Sequence, residues 1–346
     1  MRDLLLILPD LRCELSQALL SDERLTTAFA EMQWRVARPQ SCRSSWRQRL
    51  MQALEQPKLA DCAIATVLET ARASAAGAKP DPSPWVATPM HWLAGLTQVH
   101  APLESVLQLP QAEADELALS FESTFAGSGL SLLPAGSVGF VLQGLKVDSV
   151  RVDEPANLRG RNLSEHQPQG EGAARLKALT SELEMWLHDH PLNRRREVRG
   201  EAGISSLWLW GGGVSHSVPE PSVPSRAVQC FTDEVWVEAA CELMQLSQQS
   251  VPREAQSLLS QPSIAIRPDG LWAVVLAGWD LAAIQRDWVR PICEQLIAGS
   301  WSSLTIETAD HSLILSGRDR WRFWRRSSNP LASLLAVGSL QSGRGQ

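Results

Sequence analysis

At 346 residues the chain is long enough for a substantial core and for two lobes. With 20% charged and 44% hydrophobic residues it has the composition of an ordinary soluble globular protein and not of a disordered one. A net charge of −6 argues against a general nucleic-acid binder, because phosphate binding needs a clearly positive surface.

The first apolar run, Leu4–Leu8, is too short for a membrane span or a signal h-region and reads as a buried strand. Apolar residues then recur at helical spacing over Cys13–Met32, Ser45–Gln56 and Leu59–Ser74. A loop rich in Pro, Gly and small residues, 76–84, leads into strands and turns over Trp85–Val99 and a helix over Gln111–Phe125. Leu130–Leu133 and Val138–Leu142 flank a Pro-Ala-Gly turn and predict a hairpin. After a polar loop at Gly160–Gly172, Ala173–His188 predicts an amphipathic helix, with Leu176, Leu179, Leu183 and Leu187 toward one face. Ile204–Trp210 predicts a buried strand. The three prolines of Ser215–Ser225 suit a boundary. A helix at Asp233–Leu246, a strand at Leu271–Ala277, a helix at Leu281–Ile297 and strands at Leu304–Ile306 and Ser312–Leu315 complete the order.

Strands alternating with long helices predict an α/β fold with a layered mixed sheet flanked by helices. The expected organisation is an N-terminal lobe over 1–214, a linker at 215–225, a C-terminal lobe over 226–331 and a tail at 332–346. Six cysteines (Cys13, Cys42, Cys62, Cys230, Cys241 and Cys293) show no CxxC spacing and follow no cleavable leader, so reduced thiols in a cytoplasm are expected. The chain has fourteen Trp and no Tyr, a skew from which no chemistry follows.

The most distinctive stretch is LHDHPLNRRREVRGEAGISSLWLWGGG, residues 187–213. Pro191 is expected to stop the preceding helix, with His188 and His190 near its carboxyl end, where the dipole favours the charged imidazole. Two His separated by one residue do not share a helix face, which argues against a zinc pair. Asn193 is expected to cap or turn the chain. Arg194, Arg195, Arg196 and Arg199, ahead of Gly211, Gly212 and Gly213, have the donor chemistry of an anion site. The same arginines also suit a solvated, salt-bridged face with Glu197 and Glu201. Arg159 and Arg161 would join such a pocket or decorate the surface. His91 and His100 are expected to be satisfied polar groups beside Trp92. In the closing motif at 318–326, Trp321 and Trp324 are expected to anchor a terminal helix while arginines reach outward. No GxSxG elbow, P-loop or GxGxxG before a helix is present.

Five stretches taken together, LLLILPDL, TPMHWLAGLTQVH, LRGRNLSEHQP, LEMWLHDHPLNRRREVRG with SSLWLWGGG, and DRWRFWRR, resemble the RpfE-type regulatory proteins of proteobacteria, whose members are often labelled cofactor-independent phosphoglycerate mutase. The central segment is also similar to archaeal-type phosphoglycerate mutases of the alkaline-phosphatase superfamily. That resemblance implies a degenerate alkaline-phosphatase-like core and, in a working enzyme, two divalent metals held by Asp and His. The opening strand runs into Pro9-Asp10-Leu11 with only Asp10 as a donor, and Asp310-His311 is the one dipeptide resembling the superfamily's metal-binding pair. The expectation is therefore a cytoplasmic, non-catalytic regulatory or scaffolding protein without a metal cofactor. The rivals are an active mutase using Mn or Zn at Asp10, Asp310 and His311, and a module sensing anions. Expected partners are a phosphorylated small molecule and an unidentified protein, with no membrane and no nucleic acid.

Overall fold

The structure, a computed structural model, describes residues 2–11, 23–95, 98–212, 218–259, 270–322, 324–325 and 327–342. The chain divides into two compact units, Met1–Asp61 with Pro221–Gln346, and Cys62–Glu220. The proline-rich stretch does hold one crossing between them. The expected continuous lobe over 1–214 is not what the structure shows, because the first strand takes its partners from the far end of the chain.

In chain order the first unit opens with β1 (Arg2–Leu8), α1 (Glu23–Ala30), β2 (Gln40–Ser41) and α2 (Trp46–Ala53). The second unit continues with α3 (Ile64–Ala75), β3 (Trp85–Met90), α4 (Gln111–Thr124), β4 (Ser131–Pro134), β5 (Phe140–Gln143), α5 (Ala173–His188), α6 (Pro191–Val198) and β6 (Ser206–Trp210). The chain then returns to the first unit with β7 (Val228–Thr232), α7 (Val235–Leu243), β8 (Gln248–Gln249), β9 (Gly270–Val275), α8 (Arg290–Ala298), β10 (Ser303–Thr308), β11 (His311–Ser316) and α9 (Pro330–Ser342).

The first unit is built on a seven-stranded mixed sheet in the order β8-β7-β9-β1-β10-β11-β2. β1 lies in its middle, parallel to β9 on one side and to β10 on the other, with Leu6 opposite Val274 and Ile306. A strand covered on both faces cannot alternate polar and apolar residues, which explains the unbroken run Leu4–Leu8, all of it buried. β10 and β11 form an antiparallel hairpin, and β11 alternates, with Leu313 and Leu315 inside and Ile314 exposed. Helices α7, α8 and α9 pack on the sheet. Their core includes Phe231, Trp288, Leu304 and Leu335. The single helix expected over Leu281–Ile297 is broken into a short turn, a π-helical segment at Ile284–Val289 and α8. The wider turn places Trp288 fully inside. The helix expected from Cys13 is described only from Glu23.

The second unit has a four-stranded antiparallel sheet, β6-β3-β5-β4. The predicted hairpin is present as β4 and β5, pairing Leu132 with Leu142. Its turn requires Gly139, whose φ is +99° and where a Cβ would come within 2.4 Å of the Pro89 ring. α5 has the predicted bounds and buries Leu176, Leu183 and Leu187 with Trp85, Phe121 and Phe140. β6 is buried along its length, and its indoles keep their N–H groups bonded, Trp208 to the Asp153 carbonyl (2.9 Å) and Trp210 to Thr88 Oγ1 (2.8 Å). Among the described residues no helix is long and apolar enough to cross a membrane. Cys42, Cys62, Cys230, Cys241 and Cys293 are free thiols, as expected. Cys13 lies outside the described residues.

Candidate functional site

In the first unit the parallel strands β1, β9 and β10 end at one edge of the sheet, the place where open α/β sheets bind ligands. Asp10 comes after β1 there, and its Oδ2 accepts the N–H of Gly278 at 2.7 Å. The Leu11 carbonyl accepts the N–H of Ala309 at 3.0 Å, so the chain after β1 lies beside the β10–β11 turn that carries Asp310 and His311. Asp310 accepts the Thr308 hydroxyl at 3.0 Å, and the Thr308 oxygen in turn receives the N–H of His311 at 2.9 Å. His311 is 2% exposed, and its Nδ1 stands 3.2 Å from Asp310 Oδ1. Glu307 is ion-paired with Arg49, which also donates to the carbonyls of Ser44 and Thr308. Burial raises the pKa of the Cys42 thiol at this edge; Arg49 opposes the shift while Glu307 and Asp310 reinforce it, so the thiol stays protonated.

The family resemblance implies Mn or Zn at this edge. Among the described residues no group of three or more His, Cys, Asp or Glu side chains is close enough to hold a metal ion. A two-metal centre needs several more donors than Asp10, Asp310 and His311 provide, and these residues as arranged do not fit it.

In the second unit the arginine stretch differs from its expectation in one decisive way. Pro191 does not only end a helix; it stands at the first position of another, α6, where its missing N–H costs nothing. His190 caps α6: its Nδ1 accepts the N–H of Leu192 at 3.2 Å and its Nε2 lies 2.9 Å from Ser120 Oγ. The ring is therefore the neutral tautomer with its proton on Nε2. Burial lowers its pKa, against Glu116 and with Arg195, so the expectation of a charged imidazole at a helix carboxyl end is corrected. His188 is in the last turn of α5 and exposed. Asn193 turns the chain as expected, donating to the carbonyls of Leu187 (2.8 Å) and Ile204 (2.9 Å) and accepting the N–H of Ile204 (2.7 Å).

The arginines are committed to carboxylates. Arg195 pairs with Glu116, and Arg196 and Arg199 both pair with Glu113 from α4. Arg196, only 6% exposed, also donates to the Ala202 carbonyl at 2.9 Å, and Arg199 binds Glu201 at 2.8 Å. Arg194 is exposed. Gly211 and Gly212 follow the far end of β6, a strand about 17 Å long at the rise of an extended chain, whereas α6 precedes its near end. There the Gly211 carbonyl receives the N–H of Ala65, and a Cβ on Gly212 would meet the Pro84 carbonyl at 2.2 Å. The glycines serve a close packing turn and do not form one anion pocket with the arginines. Gly213 lies outside the described residues.

The remaining candidates are accounted for locally. His91 Nδ1 bonds the Gly203 carbonyl at 2.9 Å, and His100 is exposed on a short strand. The backbone of Arg161 and Gly160 is tied to Ala101. Trp321 and Trp324 do not anchor a terminal helix: each is 70% exposed, beside a 3-10 turn at Gly317–Trp321. Arg325 (2.8 Å) and Arg322 (3.2 Å) instead turn toward the buried Asp319, which inverts the expected arrangement.

Sequence reasoning missed a cavity of about 320 Å3 within the second unit. Trp92, Leu163 and Trp208 line it, together with Lys177, Thr180 and Glu184 from one face of α5. Burial raises the pKa of Glu184, and the Ser206 hydroxyl offsets only part of the shift. The missed signal was the convergence of three distinctive stretches, around Trp92, Leu163 and Trp208, which lie far apart in sequence.

No family model matches the chain. A probable 2,3-bisphosphoglycerate-independent phosphoglycerate mutase from Geobacter sulfurreducens is 42% identical over 59 residues, 17% of this chain and 15% of that protein. The corresponding mutase 2 of Methanothermobacter thermautotrophicus is 35% identical over 80 residues, 23% of this chain and 20% of that protein. A third, from Methanothrix thermoacetophila, is 36% identical over 65 residues, 19% and 17% of the two chains. Over these stretches the chain resembles cofactor-independent phosphoglycerate mutases. The matched stretch spans 15–20% of the length of these curated relatives. Among solved structures, the cofactor-independent phosphoglycerate mutase of Thermoplasma acidophilum aligns over 91% of this chain and 89% of its own, with 12% identity and a TM-score of 0.39. The PH0037 protein from Pyrococcus horikoshii aligns over 96% and 92%, with 13% identity and a TM-score of 0.43.

Proposed function

We propose that this chain is a cytoplasmic, phosphoglycerate-mutase-like protein with a degenerate alkaline-phosphatase-like core, acting in regulation or scaffolding and not in phosphoryl transfer. One observation carries the reading. At the sheet edge where such chemistry would occur, the available acids hold the fold together: Asp10 fastens Gly278, Glu307 pairs with Arg49, and Asp310 takes the Thr308 hydroxyl. A metal would have to compete with each of these bonds for the same carboxylates. Partial matches to curated mutases support the ancestry and leave the activity a proposal. The regulatory role rests on the resemblance to RpfE-type proteins.

The test is metal titration of the purified protein, with elemental analysis afterwards. The proposal expects Mn and Zn to leave the thermal midpoint unchanged and to be retained below one equivalent. A stoichiometric ion that raises the midpoint, and no longer does so in Asp310→Ala, would overturn it.

A second reading, a working mutase, has a specific observation in its favour. The Leu11–Ala309 bond brings Asp10 to the same edge as Asp310 and His311, and both ring nitrogens of His311 are buried without a well-formed hydrogen bond. That reading expects His311→Ala to abolish turnover. The anion-sensing reading loses its pocket, because Arg195, Arg196 and Arg199 already hold carboxylates and the glycine turn is at the other end of β6.

A further inference from the structure

We propose that the cavity in the second unit binds a small organic amine, whose ammonium group pairs with Glu184 and whose apolar body packs against Trp92 and Trp208. This site is independent of the sheet edge in the first unit, and the inference stands whether or not the protein turns over phosphoglycerate.

The helix that forms one wall is committed in two directions. Leu176, Leu179, Leu183 and Leu187 face the core, whereas Lys177, Thr180 and Glu184, at i, i+3 and i+7, fall on a neighbouring face and line the cavity. The apolar part of the lining comes from Trp92, Leu163 and Trp208, the last from the middle of β6. A volume of about 320 Å3, lined by apolar side chains and by polar ones such as Gln167 and Ser181, has the size of a small-molecule site and suits a ligand with one apolar and one polar end.

The polarity of the ligand is set by Glu184. It is half-buried, and no cation among the described residues pairs with it. Lys177 is two helical turns away, about 10 Å along the axis. A carboxylate removed from water with no countercharge is costly, and a ligand ammonium would relieve that cost. The indoles reinforce the choice, since a ring face attracts a cation where water is excluded. The walls are also fixed before any ligand arrives. The Trp208 indole N–H is bonded to the Asp153 carbonyl, the Asp153 carboxylate pairs with His166 at 2.7 Å, and the backbone N–H of Trp92 is bonded to Ser205 Oγ at 3.1 Å, which fixes the chain at that position. Such preorganisation lowers the entropic cost of binding.

The experiment is calorimetric titration of the full chain with phenethylamine and with 3-phenylpropionate, which has a similar body and the opposite charge. Phenethylamine is expected to bind saturably at pH 8, and 3-phenylpropionate at least about tenfold more weakly. Glu184→Gln should weaken phenethylamine about tenfold, as should Trp92→Leu, with melting midpoints close to wild type. Acidification through the carboxyl range should weaken the amine as well, because protonated Glu184 carries no charge. Absence of saturable phenethylamine binding would overturn the proposal. Equal or tighter binding of 3-phenylpropionate would also overturn it and assign the cavity to an anion at Lys177. Because that comparison uses wild-type protein, it stands even if a variant fails to fold; a folded Glu184→Gln protein that binds the amine unchanged would refute the pairing.

Discussion

The Asp10 carboxylate accepts the backbone N–H of Gly278 at 2.7 Å, fastening together the segments that leave β1 and β9, neighbouring parallel strands. The acid that follows the first strand thus works as a clamp on the fold. Asp10→Asn keeps an acceptor oxygen and should leave stability within about 0.5 kcal/mol of wild type, whereas Asp10→Ala should lose about 0.5–1.5 kcal/mol. Urea denaturation of the two variants checks the difference. Equal losses would mean that the bond to Gly278 is not what Asp10 contributes.

Asn193 closes the loop between α6 and β6 through both ends of its amide. Asn193→Ala would leave the carbonyls of Leu187 and Ile204 and the N–H of Ile204 without these partners, with an expected cost of about 2–3 kcal/mol. Asn193→Asp should do no better, since it keeps the acceptor but loses both donors. Hydrogen exchange at Ile204 would show the loss locally.

The arginine cluster offers an internal contrast. Arg196 is nearly enclosed and pairs with Glu113, with Glu201 at 3.4 Å as a second, more exposed carboxylate, so Glu113→Ala should destabilise the protein by about 1–3 kcal/mol by leaving a buried charge only partly compensated. Glu116, paired with a half-exposed Arg195, should cost less than about 1 kcal/mol when changed to Ala. Thermal or chemical melts of the two variants give the comparison directly. If the arginines were held free for an anion, both substitutions would be nearly neutral to stability.

His190 makes stability depend on pH with a definite sign. Burial holds its folded pKa below the ordinary 6.5, so between the two values the unfolded chain binds a proton that the folded chain does not. Its contribution is therefore complete above about 6.5 and is lost as pH falls through that window. Protonation also removes the Nδ1 lone pair that receives the Leu192 N–H, so α6 should fray at its start. Melting midpoints from pH 7.5 to 5 should fall more in wild type than in His190→Asn, which retains a cap without a titrating ring.

Much of the local structure was legible, because local structure answers to local periodicity. β1 is marked by an apolar run that only a central strand tolerates, and α5 is bounded by its leucine spacing and by the residues around Pro191. That proline is ambiguous in sequence, since Pro stops one helix and starts another with equal ease, and only His190 as a cap distinguishes the two. The partners of β1 could not be read, because parallel pairing with Gly270–Val275 and Ser303–Thr308 leaves no local trace. For Trp321 and Trp324, helical spacing does not apply, because the chain turns as a 3-10 segment around Asp319. The cavity is hidden from the sequence because its walls come from residues near 92, 163, 177–184 and 208, and nothing local to those stretches shows that they converge.

The central claim is that the acids at the sheet edge serve the fold and not a reaction. Its most direct test is interconversion of 2- and 3-phosphoglycerate by the full chain supplied with Mn or Zn. The expected result is no turnover above the protein-free rate. Turnover that requires the metal and disappears in Asp10→Asn and His311→Ala, with both variants folded, would contradict it.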